Sequence, residues 1–187
     1  MAVSKLPEPF TYQDYVHLPD RGQINQIIDG ELFMTPAPTT RHQRISRKLV
    51  LWLSQFVEAG KLGEIFDAPC DVVLSPTNVV QPDLIFVSRE RRHIITEKNI
   101  QGAPDLLVEI LSESTAKIDR QFKRKLYASS GVKEYWLVDP EAETVEVLIL
   151  AAKRYRSFGI FSADQLLKSP LLAGLDLPLA NIFADPT

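Results

Sequence analysis

The sequence predicts an α/β fold, a mixed β-sheet flanked by helices with an added N-terminal helix and hairpin. Three observations predict it. Residues 104–140, PDLLVEILSESTAKIDRQFKRKLYASSGVKEYWLVDP, read as a buried strand, a helix with a basic first half, and a second buried strand. Ile24, Gln26 and Ile28 precede Asp29-Gly30, and Leu32 and Met34 follow it, the pattern of two strands joined by a tight turn. Ile45, Leu49, Trp52, Leu53 and Phe56 recur at helical spacing, which gives a long helix one core face.

The remaining elements follow in order. Residues 1–10 form a loose lead-in with Pro7 and Pro9, and Thr11 with Asp14 has the capping-box spacing that opens a short helix through Leu18, ended by Pro19, Asp20 and Gly22. After the hairpin, Pro36 and Pro38 break the strand and Thr39 or Thr40 caps the long helix to Ala59. Short strands are expected at Glu64–Phe66 and Asp71–Leu74, then a turn over residues 75–78 and a strand from Val79 to Val87 that contains Gln81-Pro82-Asp83. Because proline donates nothing to a ladder, Asp83 should lie near a strand end or edge. Residues 88–102 read as a polar loop with one helical turn near Ile94. Beyond residue 140, Thr144–Ala151 pairs with Tyr155–Phe161 through a turn at Lys153, Ser162 and Asp164 start a short helix through Leu167, and Leu171–Phe183 completes the core in short elements.

Composition sets the function class. With 187 residues, 45% of them hydrophobic, the chain can build one sizeable core, and a single domain over 1–187 is expected. A net charge of -3 argues against nucleic-acid binding through overall charge, so any basic face has to be local. The lone Cys70 excludes an internal disulfide framework and a cysteine-rich zinc site. No apolar run approaches the roughly 18 residues of a membrane span, and the N-terminus lacks a signal-peptide core, so a cytoplasmic protein is expected.

Two acids are out of place. Glu109 interrupts the run Leu106, Leu107, Val108, Ile110, Leu111, and Asp83 precedes Leu84–Val87; a carboxylate is costly to bury unless something pairs with it. If their strands are neighbours, both project from one sheet face and meet. Hard divalent cations such as Mg²⁺ or Mn²⁺ take oxygen ligands and are held by one or two carboxylates, so this pair suits such an ion. A structural acid paired with a lysine or arginine is the simpler reading of Glu109, and a turn acid that of Asp83. Asp105 also follows a proline, but on one strand face it would lie on the order of 13 Å from Glu109, too far to share an ion.

Asp119, Lys123 and Tyr127 lie four residues apart along one helix face. A lysine there can position an attacking water or neutralise a phosphate, with Lys125 as the alternative if the helix phase differs. Between Lys117 and Lys125 five cations stand against the single acid Asp119, and Arg41, Arg44, Arg47 and Lys48 form a second cationic turn; both are either phosphate-facing or ordinary solvated helix surface. His42 faces either the site or solvent. Tyr127 and Trp136 are core aromatics, the tyrosine hydroxyl supporting Lys123 from behind.

In order and spacing, these segments resemble the PD-(D/E)xK nuclease superfamily and, more closely, the Uma-type restriction endonuclease family. The resemblance runs from about Thr11 to Phe183. It is carried by Asp29-Gly30-Glu31-Leu32, the Pro82-Asp83 strand, residues 104–112, the Asp119/Lys123/Tyr127 helix and residues 131–140. It implies a restriction-endonuclease-like core and metal-dependent phosphodiester hydrolysis, a DNA endonuclease using Mg²⁺ or Mn²⁺. Asp83 and Glu109 then match the metal-binding acids, with the Ile110 carbonyl a further ligand, and Glu31 matches an acid that often joins the site. The lysine of the (D/E)xK triplet is missing, since Leu111 occupies its place, and Lys123 matches the lysine that substitutes for it. The alternative is an inactive nuclease-fold module that binds nucleic acid or protein. A homodimer through apolar residues in Leu171–Leu179 is compatible with either.

Overall fold

The computed structural model describes residues 8–19 and 24–185. The first seven residues of the expected lead-in, and Asp20 and Gly22 of the expected helix stop, lie outside the described residues. The chain runs α1 (Tyr12–Tyr15), β1 (Ile24–Ile28), β2 (Glu31–Thr35), α2 (Thr40–Ala59), β3 (Gly63–Asp67), β4 (Val72–Ser75), β5 (Asn78–Val80), β6 (Leu84–Ser88), a 3-10 turn (Arg89–Ile94), β7 (Ile100–Gln101) and β8 (Leu106–Ile110). A π-helical stretch (Ile118–Lys123) leads into α3 (Arg124–Ser130), then β9 (Glu134–Asp139), β10 (Thr144–Ala151), β11 (Arg154–Ser162), β12 (Leu166–Leu167), β13 (Leu177–Pro178) and α4 (Leu179–Phe183).

The central sheet has six strands in the order β11-β10-β9-β8-β6-β3 and is mixed, because β8 and β9 run parallel while their neighbours are antiparallel. The parallel pair needs a crossover, and the π stretch with α3 supplies it. One face of this sheet buries Ile45, Leu49, Leu53 and Val57 of α2 against Leu84, Phe86, Val108 and Trp136. The other face buries Ile85, Val87 and Leu107 against Tyr127, Leu126 and the five-stranded sheet β2-β1-β5-β4-β7. The expected N-terminal hairpin is thus part of a second sheet. Its turn places Asp29 at φ 49° and Gly30 at φ 76°, the left-handed pair that a two-residue hairpin requires.

Three expectations are corrected. Residues 79–87 are not one strand: Pro82 interrupts the ladder, β5 stays in the five-stranded sheet, and β6 starts afresh in the central one. Residues 162–167 form no helix, because Leu166 and Leu167 pair with Pro178 and Leu177 in a two-stranded ribbon. Leu172, Leu175, Leu177 and Leu179 are buried in the core and are not a surface for self-association. The capping box at Thr11 and Asp14 forms, but α1 ends at Tyr15. Among the described residues no helix is long and apolar enough to cross a membrane.

The acid that competed for the motif has a structural task. Asp105, fully buried ahead of β8, accepts from the Ser88 N–H at 2.8 Å and meets the Lys133 ammonium at 2.7 Å. Burial works against its charged form, yet Lys133 and Ser88 outweigh it and hold the carboxyl below its ordinary 3.8. A carboxyl depressed by folding stabilises the protein above its unfolded pKa, and that contribution is lost as pH falls through the folded value. The urea midpoint of the native chain should therefore fall on acidification below pH 3.8, and Asp105→Asn should be destabilised at neutral pH by about 1–3 kcal/mol with a shallower acid limb. An unaltered acid limb in the variant would count against this assignment.

Candidate active site

The strand break at Pro82 is what opens a site. Register pairs Ile85 with Leu107 and Leu84 with Val108, so one further step sets Asp83 opposite Glu109. Alternation along each strand then turns both acids to the face of Ile85 and Leu107, away from α2. They border a cavity of about 760 Å³ whose walls come from the open end of the β1–β2 hairpin, the first turn of α2, residues 67–69 and the segment 112–115 after β8.

Each acid is held by named donors. The Ile110 N–H donates to Asp83 Oδ2 at 2.7 Å. Glu109 is buried, and its Oε1 accepts from the Tyr127 hydroxyl at 2.6 Å and meets Lys123 Nζ at 2.9 Å. Both contacts fall on Oε1, leaving Oε2 without a hydrogen-bond partner among the described residues. Lys123 also reaches Asp119 Oδ1 at 3.2 Å, so one buried ammonium bridges two acids.

Three carboxylates around one ammonium make an unbalanced cluster. Burial pushes the Glu109 carboxyl up to about 8; the Lys123 charge pulls the other way, and Asp119 and Asp83 add to the push. Burial would lower the Lys123 ammonium, but Glu109 and Asp119 outweigh it and hold its pKa above the ordinary value, so it stays charged. Burial, reinforced by Glu109, keeps the Tyr127 hydroxyl protonated and a donor. With all three acids ionised the cluster carries two negative charges in excess, which one divalent cation would cancel. The donors are oxygens, as a hard cation prefers, and Glu109 Oε2 has a free valence. Among the described residues no three His, Cys, Asp or Glu side chains converge on one point, so an ion here would be held by two side chains with main-chain or water oxygens, a common arrangement for Mg²⁺. On these grounds the residues fit such an ion.

The π-helical stretch sets the second half of the cluster. The Arg124 N–H donates to the Asp119 carbonyl five residues back, and the buried Tyr135 hydroxyl donates to the same oxygen at 3.1 Å. Asp119, Lys123 and Tyr127 are all buried as a result.

Of the residues singled out from sequence, Asp83, Glu109, Ile110, Lys123 and His42 border the cavity. His42 stands in the first turn of α2, its Nε2 3.2 Å from Asp83 Oδ1. Tyr127 sits behind them, its hydroxyl supporting Glu109 directly and not Lys123. Glu31 is not brought in: it pairs with Ile28 beside the turn, whereas the cavity is bordered by Ile24 and Thr35 at the opposite end of the hairpin. Lys125 is exposed. Gln26 and Gln81, joined by a 3.2 Å hydrogen bond from the Gln81 N–H, border the cavity without any prior signal in the sequence. Asp119 carried one, its spacing from Lys123.

Among the described residues the cationic turns are neutralised in part. Arg41 pairs with Glu141 and Glu143, Arg44 with Asp185, and Arg120 with Asp139, while Lys48 caps the carbonyls of Ile182 and Ala184.

Comparison with known proteins agrees with this architecture. A family model described as "Uma2: Putative restriction endonuclease" matches residues 12–180. The crystal structure of a putative nuclease belonging to DUF820, from Anabaena variabilis ATCC 29413, superposes with a TM-score of 0.78 at 22% identity, covering 94% of this chain and 98% of that one. No curated protein matches significantly.

Proposed function

The chain belongs to the Uma2 family of putative restriction endonucleases, and from that premise we propose that it is a metal-dependent phosphodiesterase, a DNA endonuclease in class. The observation that carries the reading is the placement of Asp83 opposite Glu109 on a cavity wall with Lys123 2.9 Å from Glu109. Asp83 and Glu109 would hold the ion with the Ile110 carbonyl. A bound Mg²⁺ or Mn²⁺ supplies a water of lowered pKa and draws charge from the phosphodiester.

The chain's own residues do the rest. The Ile110 N–H and the Tyr127 hydroxyl hold one oxygen of each acid, so the remaining oxygens keep their orientation. Lys123 keeps a proton and a positive charge on the cavity wall, where negative charge grows on a phosphate under attack. In this role it replaces the lysine that Leu111, buried, cannot supply.

A second reading, a nuclease-fold module that binds without cutting, is favoured by the buried Leu111 that stands where the (D/E)xK triplet has its lysine. The two readings part in one experiment. Purified protein with Mg²⁺ or Mn²⁺ should nick supercoiled plasmid, and Asp83→Ala and Glu109→Ala should each abolish nicking while keeping a native circular dichroism spectrum. Equal nicking by the native chain and both variants would overturn the enzyme reading. Salt-sensitive DNA retention by the native chain, with no scission at any divalent-ion concentration, would establish the binding module.

A further inference from the structure

We infer that Phe122, an exposed ring among cations beside the cavity, is a stacking platform for an unpaired base, so that the site takes single-stranded DNA in preference to an intact duplex. This rests on the nucleic-acid half of the reading above and not on its metal.

The cavity is suited to a strand and not to the surface of a duplex. At about 760 Å³ it has the size that encloses a drug-sized ligand, as a nucleotide is. Among the described residues on its walls Lys123 is the only lysine or arginine, against Asp67, Asp83, Glu109, Glu113 and Asp119. That ammonium is already shared between Glu109 and Asp119. A duplex carries one negative charge per about 1.7 Å of its axis and is held by many cations, whereas these walls provide for a single phosphodiester. Affinity for the rest of a strand has to come from outside the cavity.

The segment around Lys123 supplies it. Phe122 is 44% exposed, yet its ring is held in place: its centroid lies 6.1 Å from that of Phe33, with the two planes tilted by 46°. Phe33 is buried on β2 opposite Gln26, which borders the cavity, as does Thr35 two residues further along the same strand face. The open ring therefore stands at the margin of the site, next in the chain to the lysine on its wall. Of the five cations from Lys117 to Lys125, Arg120 and Lys123 are paired with acids, while Lys117, Arg124 and Lys125 meet none among the described residues. Lys117 stands five residues before Phe122 and Lys125 three after it, which sets them one turn to either side. Ring and cations together are the combination by which single strands are bound, since every base has a face to stack and the cations follow the backbone. In a duplex the bases are already stacked on one another, and the ring has no face to meet.

Fluorescence anisotropy of a short labelled oligodeoxynucleotide tests this on the native chain, with Ca²⁺ in place of Mg²⁺. The single strand should bind at least about 10-fold more tightly than its blunt duplex. Phe122→Ala should weaken single-strand binding about 5- to 100-fold and leave the duplex unchanged, and Phe122→Tyr should keep the native affinity. Cleavage should follow the same order, with single-stranded circles cut faster than relaxed plasmid; supercoiled plasmid remains a substrate because negative supercoiling favours strand separation. A duplex bound as tightly as the single strand, or a folded Phe122→Ala that binds single strands like the native chain or loses both forms equally, would overturn the inference. Scission of relaxed duplex that is indifferent to Phe122→Ala also overturns it and leaves the nuclease reading intact. Single-strand binding that depends on Phe122, without scission in any divalent ion, does the reverse: the enzyme reading falls and this inference stands. If neither form is retained, the inference is overturned while the nicking assay still decides the enzyme reading. Should Phe122→Ala fail to fold, the native chain's preference between single strand and duplex decides.

Discussion

Lys123→Met should cost about 3–5 kcal/mol of stability and at least about 10²-fold in any nicking activity. Methionine nearly preserves the volume of the side chain, so packing contributes little to the loss. The loss comes from charge. Lys123 is the cation that meets both Glu109, at 2.9 Å, and Asp119, at 3.2 Å, and its side chain is only 3% exposed, so the two acids would be left buried without it. Urea midpoints followed by circular dichroism measure the first effect. Two controls sharpen it. Added Mn²⁺ should recover part of the stability, since an ion bound only by the folded state stabilises it by mass action. The double variant Lys123→Met with Glu109→Gln should recover stability too, having one buried charge fewer to satisfy, but should remain inactive. A stability change within about 0.5 kcal/mol for Lys123→Met alone would show that the ammonium does not carry the cluster.

Trp136→Ala should be more damaging to the fold, by about 3–5 kcal/mol for the cavity alone. Trp136 is fully buried in the middle of the central sheet, between Val108 on β8 and Val147 on β10. Its indole N–H also donates to Glu134 Oε1 at 2.6 Å, and the same acid accepts from the Ser169 hydroxyl and the Leu171 N–H. Burial raises the Glu134 pKa even so, these three donors only moderating it. Trp136→Phe separates the two contributions. It keeps most of the bulk and removes the donor, so its cost should be about 1–3 kcal/mol. Thermal unfolding of the pair measures this, and equal melting temperatures for the two variants would mean that packing around the indole contributes nothing beyond the hydrogen bond.

The sequence made the local parts of this molecule legible and left the distant ones hidden. The apolar runs at 106–111, broken by Glu109 alone, and at 135–138 announce two buried strands, and Asp29-Gly30 announces its hairpin, because these signals are contained within a few residues. The opposition of Asp83 and Glu109 could be anticipated from the cost of burying each acid alone. What sequence could not show was where the chain changes sheet. Val79 to Val87 has the same apolar pattern whether it is one strand or two, and only tertiary pairing divides it at Pro82. Charge was similarly opaque: the cations of α2 looked unopposed because Glu141, Glu143 and Asp185 stand a hundred residues or more away. Leu166 and Leu167 pair with a segment ten residues later, against the local helix-start signal at Ser162 and Asp164. Glu31 was placed correctly in its strand and still misses the cavity, since reaching it depends on which end of the hairpin points inward.

The π-helical stretch Ile118–Lys123 makes this segment sensitive to length as well as to identity. Such a turn holds one residue more than an α-helix would over the same rise, and each residue of an α-helix advances by about 100°. The stretch already absorbs that extra residue, so inserting a further one would rotate Asp119 by that angle relative to Tyr127. Lys123 could then no longer face both acids. Substitutions at the exposed Arg120, Gln121 and Phe122 should pass with little effect on the cluster, whereas a one-codon insertion beside them should dismantle it without touching any residue in it.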